Sequence, residues 1–61
     1  MKAKELIKLA EKAGWKLDRT HGSHQIFIHP EKSHRLSIPV HGNKDLGKGI
    51  SHKLLKQAGL K

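Results

Sequence analysis

The side chains best suited to proton transfer in this chain are its six histidines, and His24 differs from the rest in its setting. It follows Gly22 and Ser23 and opens a β-branched and aromatic run, so a glycine turn would leave its ring accessible at the start of a rigid strand. Imidazole titrates near neutral pH and can give or take a proton. His24 is therefore the candidate general acid or general base, with both roles open.

Such a histidine would suit a substrate that brings its own nucleophile. RNA does so through its 2′-hydroxyl. Its cleavage needs a base near that oxygen, a cation near the non-bridging phosphate oxygens and a proton for the leaving 5′-oxygen. Other residues could contact phosphate or transfer a second proton, and the candidates are Gly22, Ser23, His41, Lys44, Lys48 and Lys53.

A metal site is the other chemistry that clustered histidines suggest. His21, His24, His29 and His34 are close in sequence, but no helical pattern carries a pair of histidines four residues apart. The chain has no cysteine, which excludes disulfides, cysteine-bound zinc and thiol nucleophiles. We therefore expect no metal and no small-molecule cofactor, and we interpret these histidines as surface residues of hairpins.

Charge favours an anionic partner. Thirteen Lys and Arg against five Asp and Glu give a formal net charge of +8, which suits nucleic acid or an acidic protein. With only Trp15 and Phe27 as aromatics, RNA contact should depend on phosphate rather than on stacked bases. No stretch approaches the roughly 20 apolar residues of a membrane span, and no signal peptide is evident. A cytoplasmic protein without membrane contact is expected.

Helical periodicity marks the two ends of the chain. Apolar residues recur at helical intervals over Lys2–Ala13, and Gly14 is the expected C-terminal stop. A second helix is predicted from Leu46 onward, with Asp45 as its N-cap and Gly59 as its stop.

The glycines near the start of the second helix leave two interpretations open. Gly47 and Gly49 could let a phosphate approach the helix N-terminus, or they could serve loop geometry and packing only.

Strand patterns fill the middle of the chain. The runs with alternating or β-branched residues are Trp15–Thr20, His24–His29 and Arg35–Val40. Pro39 has no N–H to donate, so the third strand is expected to lie at an edge or to end there. The sequence predicts one α+β domain, 1–61, of order α-β-β-β-α, with a three-stranded antiparallel sheet and both helices on one face. The predicted core residues are Leu6, Ile7, Leu17, Ile26, Ile38, Ile50 and Leu54.

The run His21-Gly22-Ser23-His24-Gln25-Ile26-Phe27-Ile28-His29-Pro30 resembles the signature of the HicA family of toxin endoribonucleases. Further matches follow in the family's order at Ile38-Pro39-Val40-His41, Leu46, Lys48-Gly49-Ile50 and Leu54–Leu60. Gly47 departs from the Lys or Pro that many members have there.

The resemblance implies a fold similar to the double-stranded RNA-binding domain. It implies the toxin of a type II toxin–antitoxin system, which cleaves mRNA and is neutralised by a HicB-like, acidic antitoxin. The family's catalytic histidine follows Gly-Ser and corresponds to His24.

A double-stranded RNA-binding module without chemistry is the alternative function. Lys48, Lys53 and Lys56 on the second helix are compatible with contacts across minor grooves. His24 distinguishes the two functions, because a module that only binds does not need it.

Overall fold

The computed structural model describes residues 1–42 and 44–60. Its elements follow the predicted order: α1 (Ala3–Lys12), β1 (Lys16–His21), β2 (His24–His29), β3 (Lys32–Pro39) and α2 (Lys48–Gln57). The strands form one antiparallel sheet of order β1-β2-β3, so the predicted α+β architecture is confirmed. Both helices have ten residues and neither could cross a membrane, as far as the described part of the chain goes.

Helix α1 ends where the sequence predicts, at a glycine. Gly14 has φ 101°, a left-handed conformation that favours glycine. Its N–H donates to the carbonyl of Glu11, and the Trp15 N–H donates to the carbonyl of Ala10, at 3.1 and 3.0 Å. These two bonds are the Schellman arrangement, which satisfies carbonyls that the helix itself leaves unpaired. They turn the chain sharply and place Trp15 under the end of the helix.

Helix α2 begins later than predicted, and Asp45 is not its N-cap. The N-cap is Gly47, with φ 81° and no side-chain capping bond. Asp45 instead forms an isolated antiparallel bridge with Lys2, and the Leu46 N–H donates to the carbonyl of Met1 at 2.9 Å. This pairing holds residues 45 and 46 extended against the N-terminal segment, so the helix starts after it.

The buried stripe of α2 differs from the predicted one. Ser51, Leu54 and Ala58 are buried, whereas Ile50 is 52% exposed. The side chain of Ser51 can occupy a core position because its hydroxyl donates to the carbonyl of Gly47 at 2.6 Å. Ile50 lies one residue, and therefore about 100° of helix rotation, away from Ser51. The prediction of Ile50 as a core residue is thus wrong.

The sheet also corrects two predicted core positions. Phe27, not Ile26, is fully buried on β2, because neighbouring strand residues point to opposite faces. Leu17 pairs with Phe27 across β1 and β2 but is 51% exposed. Both helices pack chiefly against β3, so the outer strand β1 is left largely uncovered. Leu6, Ile38 and Leu54 are buried as predicted, and Ile7 packs partly buried against them.

The core cluster joins both helices to one sheet face. Its members are Ala3, Leu6, Ala10, Trp15, Phe27, Leu36, Ile38, Leu46, Leu54 and Ala58. Trp15 is buried and precedes β1, whereas the predicted strand began at this residue. Strand β3 lies at an edge of the sheet and ends at Pro39, as predicted from the missing N–H of proline.

Two of the predicted surface histidines bind the ends of the helices. The His29 Nε2–H donates to the carbonyl of Ala13 at 2.9 Å, and the His34 Nε2–H donates to the carbonyl of Gln57 at 2.7 Å. Both rings contact Trp15, with centroids 5.2 and 5.6 Å away. Trp15, His29 and His34 form what we call the tryptophan–histidine cluster. Its histidines are structural, which corrects their interpretation as plain hairpin residues.

The hydrogen bonds of His29 define its tautomer. Its Nδ1 accepts from the N–H of Glu31 at 3.0 Å, while its Nε2–H donates to Ala13. One ring nitrogen therefore accepts and the other donates, which is the pattern of a neutral imidazole. Both nitrogens are occupied within the fold.

Candidate functional site

The β1–β2 hairpin positions His24. Gly22 and Ser23 form its two-residue turn, and His21 and His24 are the paired residues that close it. Gly22 has φ 61°, whereas Ser23 does not have a positive φ, because only glycines do in the described part of the chain. A positive φ at the first turn residue alone is what a type II′ hairpin requires. The sequence Gly-Ser therefore places His24 at the first paired position of β2, where its side chain is exposed.

The end of β3 brings a second histidine to the same place. His24 pairs with Pro39 across β2 and β3, and the Val40 N–H donates to the carbonyl of Ser23 at 2.7 Å. His41 follows directly, and its ring centroid lies 6.4 Å from that of His24, with the planes at 80°. The two predicted proton-transfer candidates are thus neighbours in space, although 17 positions separate them in sequence. Both side chains are exposed.

A groove of about 450 Å³ runs beside His24 on the sheet. The residues that line it are Arg19, His21, His24, Ile26, Arg35 and Ser37. Because Phe27, Leu36 and Ile38 face the helices, strand alternation places their neighbours Ile26, Arg35 and Ser37 on the opposite face. We call this surface the open-face groove. None of its six lining residues is acidic.

Sequence reasoning missed the two arginines of the open-face groove. Arg19 and His21 are two residues apart on β1, and so are Arg35 and Ser37 on β3, a spacing that places each pair on one face. That spacing was available in the sequence. The register that aligns the three strands was not, because a bulge between Leu17 and Arg19 shifts β1 by one residue.

The predicted lysines lie apart from His24. Lys48 opens α2 and lines a separate depression with Gly49, Ser51, His52 and Leu55. Lys53 is exposed on the same helix and Lys44 is exposed in the preceding loop, and neither lines the open-face groove. The structure therefore divides the predicted RNA-binding residues into two groups: Gly22, Ser23 and His41 lie near His24, and the three lysines lie in or near α2.

No metal-binding cluster emerges from the folded arrangement of the histidines. Within residues 1–42 and 44–60, no group of three or more His, Cys, Asp or Glu could hold an ion. The tryptophan–histidine cluster and the His21–His24–His41 group use different elements, so the four histidines that are close in sequence separate into two sets.

Comparison with known proteins identifies the family. No curated protein matches the chain significantly. The family model described as the HicA toxin of bacterial toxin–antitoxin systems matches residues 3–60, from the first residue of α1 to beyond the end of α2. The match spans nearly the whole chain and includes the hairpin that carries His24. The chain therefore belongs to the HicA toxin family and is a toxin of a toxin–antitoxin system.

Proposed function

We propose that this toxin is a metal-independent endoribonuclease that cleaves mRNA, with His24 as the acid or base at the scissile phosphodiester. The observation that carries the proposal is the position of His24. It is exposed at a turn-anchored strand start, with a second imidazole 6.4 Å away and a groove containing two arginines beside it. That combination offers proton transfer and cationic contacts in one place.

The proposed reaction uses the 2′-hydroxyl of RNA as nucleophile. One imidazole removes the 2′ proton while the 2′-oxygen bonds to phosphorus. The bond from phosphorus to the 5′-oxygen breaks, and that oxygen takes a proton from an acid. The products are a 2′,3′-cyclic phosphate and a 5′-hydroxyl. His24 would fill one of these roles, and His41 is the proposed partner because the centroid of its ring lies 6.4 Å from that of His24.

Gly22 and Ser23 would contribute through the turn. Their backbone N–H groups border the start of β2 and would face a phosphate bound beside His24. Lys44, Lys48 and Lys53 would add longer-range attraction to the polyanion. No cofactor takes part in the proposed chemistry.

The antitoxin of this system is proposed to be a HicB-like acidic protein. A toxin with net charge +8 and a groove without acidic residues would associate quickly with a partner of opposite potential. Covering His24 would exclude RNA from the site.

A double-stranded RNA-binding module without chemistry is the second candidate function. The observation in its favour is that Lys48, Lys53 and Lys56 are exposed along α2, apart from His24. Such a module would bind duplex RNA by its shape and phosphates and would leave it intact.

His24→Ala tests the proposal. The variant should lose cleavage by about 10²–10⁴-fold and lose growth inhibition, while circular dichroism and antitoxin binding stay unchanged. His52→Ala, at an exposed histidine of α2 outside the open-face groove, is the comparison variant, and circular dichroism checks its fold as well. His29→Ala is unsuitable as a control because it breaks the bond to Ala13.

Two results would contradict the proposal. Wild-type cleavage by a folded His24→Ala protein would leave the binding module as the better function. Cleavage by the wild-type protein that stops in excess EDTA and returns with magnesium or zinc would contradict metal independence.

A further inference from the structure

The open-face groove has the chemistry of a site for a sugar–phosphate chain. Arg19 and Arg35 come from the two outer strands, β1 and β3, while His24 and Ile26 lie between them on the central strand. Arg19 is paired with Ile26, and Ile26 with Ser37, so these three residues form a row across the sheet. The next row on the same face of the sheet is His21, His24 and Pro39. Two guanidinium groups, one on each outer strand, thus line the groove on the side of His24 that leads away from the β1–β2 turn.

Both guanidinium groups are available to an anion. Among the described residues, no carboxylate pairs with Arg35. Arg19 contacts Asp18 at 3.1 Å, but that arginine is 63% exposed, and an exposed ion pair of this kind contributes little. Guanidinium groups bind phosphate oxygens through two parallel hydrogen bonds, a geometry that lysine cannot provide.

The floor of the open-face groove suits one nucleotide unit. Its volume of about 450 Å³ lies within the range of small-ligand pockets, roughly 300–1,000 Å³. Ile26 is half-buried there and offers an apolar contact for a ribose or base, while the Ser37 hydroxyl can exchange a hydrogen bond. The groove contains no aromatic ring other than its imidazoles, so recognition should depend on phosphate.

We propose that the open-face groove binds single-stranded RNA across the sheet, with Arg19 and Arg35 holding phosphates of the segment that continues from the nucleotide at His24. This inference rests on the proposed function and specifies where its substrate lies. It places the RNA on the face opposite the helices, so the lysines of α2 attract the polyanion but do not hold the scissile segment. Arg19 and Arg35 are then substrate-binding residues.

The test measures binding without cleavage. In a His24→Ala background, a labelled single-stranded RNA is titrated with the protein at several salt concentrations. Arg19→Gln and Arg35→Gln each remove one charge from the open-face groove. Lys8→Gln removes the same charge from an exposed position on α1 and is the matched control. A Lys48→Gln, Lys53→Gln double variant tests whether the lysines of α2 contribute to RNA binding. Circular dichroism checks that each variant is folded.

We expect each arginine variant to weaken binding at least fivefold and to make the log–log salt slope shallower by about 0.7, the value of one phosphate contact on a single strand. Arg35→Lys should recover part of the affinity, because it restores the charge without the two parallel bonds. Lys8→Gln should bind within twofold of the parent.

Three results would overturn the inference. Arginine variants that bind like Lys8→Gln, with the loss confined to the α2 double variant, would place the RNA on the helix. Tighter binding of duplex than of single-stranded RNA would contradict the proposed substrate. Unchanged RNA affinity with lost antitoxin affinity would assign the groove to the protein partner. Each differs from failure of the proposed function, which is judged by whether His24→Ala still cleaves.

Discussion

The indole N–H of Trp15 donates a hydrogen bond to the carbonyl oxygen of Ala58, 3.1 Å away, although the two residues are 43 positions apart. Trp15 follows the end of α1 and Ala58 is the C-cap of α2. One buried side chain therefore joins the C-terminal ends of both helices. The same ring is the centre of the tryptophan–histidine cluster, so it contacts residues of β2 and β3 as well as the end of α2.

Trp15→Phe should show how much the hydrogen bond between Trp15 and Ala58 stabilises the fold. Phenylalanine keeps most of the apolar area but leaves the Ala58 carbonyl without its donor, and an unpaired buried acceptor costs about 1–3 kcal/mol. We expect a loss of that size in the free energy of unfolding, measured by urea titration. An unchanged midpoint would mean that water replaces the indole and that the bond is not stabilising.

Replacing Gly14 or Gly49 by alanine should change the stability of the protein in opposite directions. A Cβ on Gly14 would lie 2.8 Å from Nε2 of His29, and φ is 101° there, so Gly14→Ala should cost about 1–3 kcal/mol. A Cβ on Gly49, inside α2, would meet nothing within 4 Å. Gly49→Ala should therefore stabilise the helix by about 0.5–1 kcal/mol. Thermal unfolding of both variants checks this, and equal effects would contradict the backbone argument.

Leu54 and Ile50 test the face of α2 that is buried. Leu54 is 7% exposed and belongs to the core cluster, so Leu54→Ala should cost about 2–5 kcal/mol. That is a large share of the stability of a small domain. Ile50→Ala, at a 52% exposed site, should change stability by less than about 0.5 kcal/mol. A larger loss at Ile50 than at Leu54 would show that the helix is rotated.

The antitoxin contact is tested by mapping. If the partner covers the site, amides of β2 around His24 and the side chain of Arg35 should be protected in the complex. Hydrogen exchange reports the amides and cross-linking reports the groove. Protection confined to α1, with His24 accessible, would mean that inhibition works by another route.

The sequence predicted the order of elements because each has its own periodicity and its own stop signals. Gly14 and Gly59 end their helices as expected, and both have positive φ. Core membership was harder to predict, since Leu17 and Ile50 fit an apolar pattern as well as their buried neighbours do. Their exposure depends on the helices lying over β3 and on the rotation of α2, which are tertiary properties.

The candidate site was only partly predictable, because some of its features are local in sequence and others depend on tertiary structure. The motif around His24 is local, so the sequence alone shows that it combines a turn with a strand start. The approach of His41 depends on the bond between Val40 and Ser23, and the placement of Arg19 depends on the bulge in β1. Both require the strand register, which the hydrophobic pattern specified only loosely.

The tryptophan–histidine cluster has a practical consequence. Trp15 is the only tryptophan in the sequence, it is 1% exposed, and its ring touches two imidazoles that bind the helix ends. Its fluorescence is therefore an intrinsic optical probe of whether both helices are docked on the sheet. No tryptophan lines the open-face groove, so a ligand that binds there should leave this fluorescence unchanged as long as both helices stay docked.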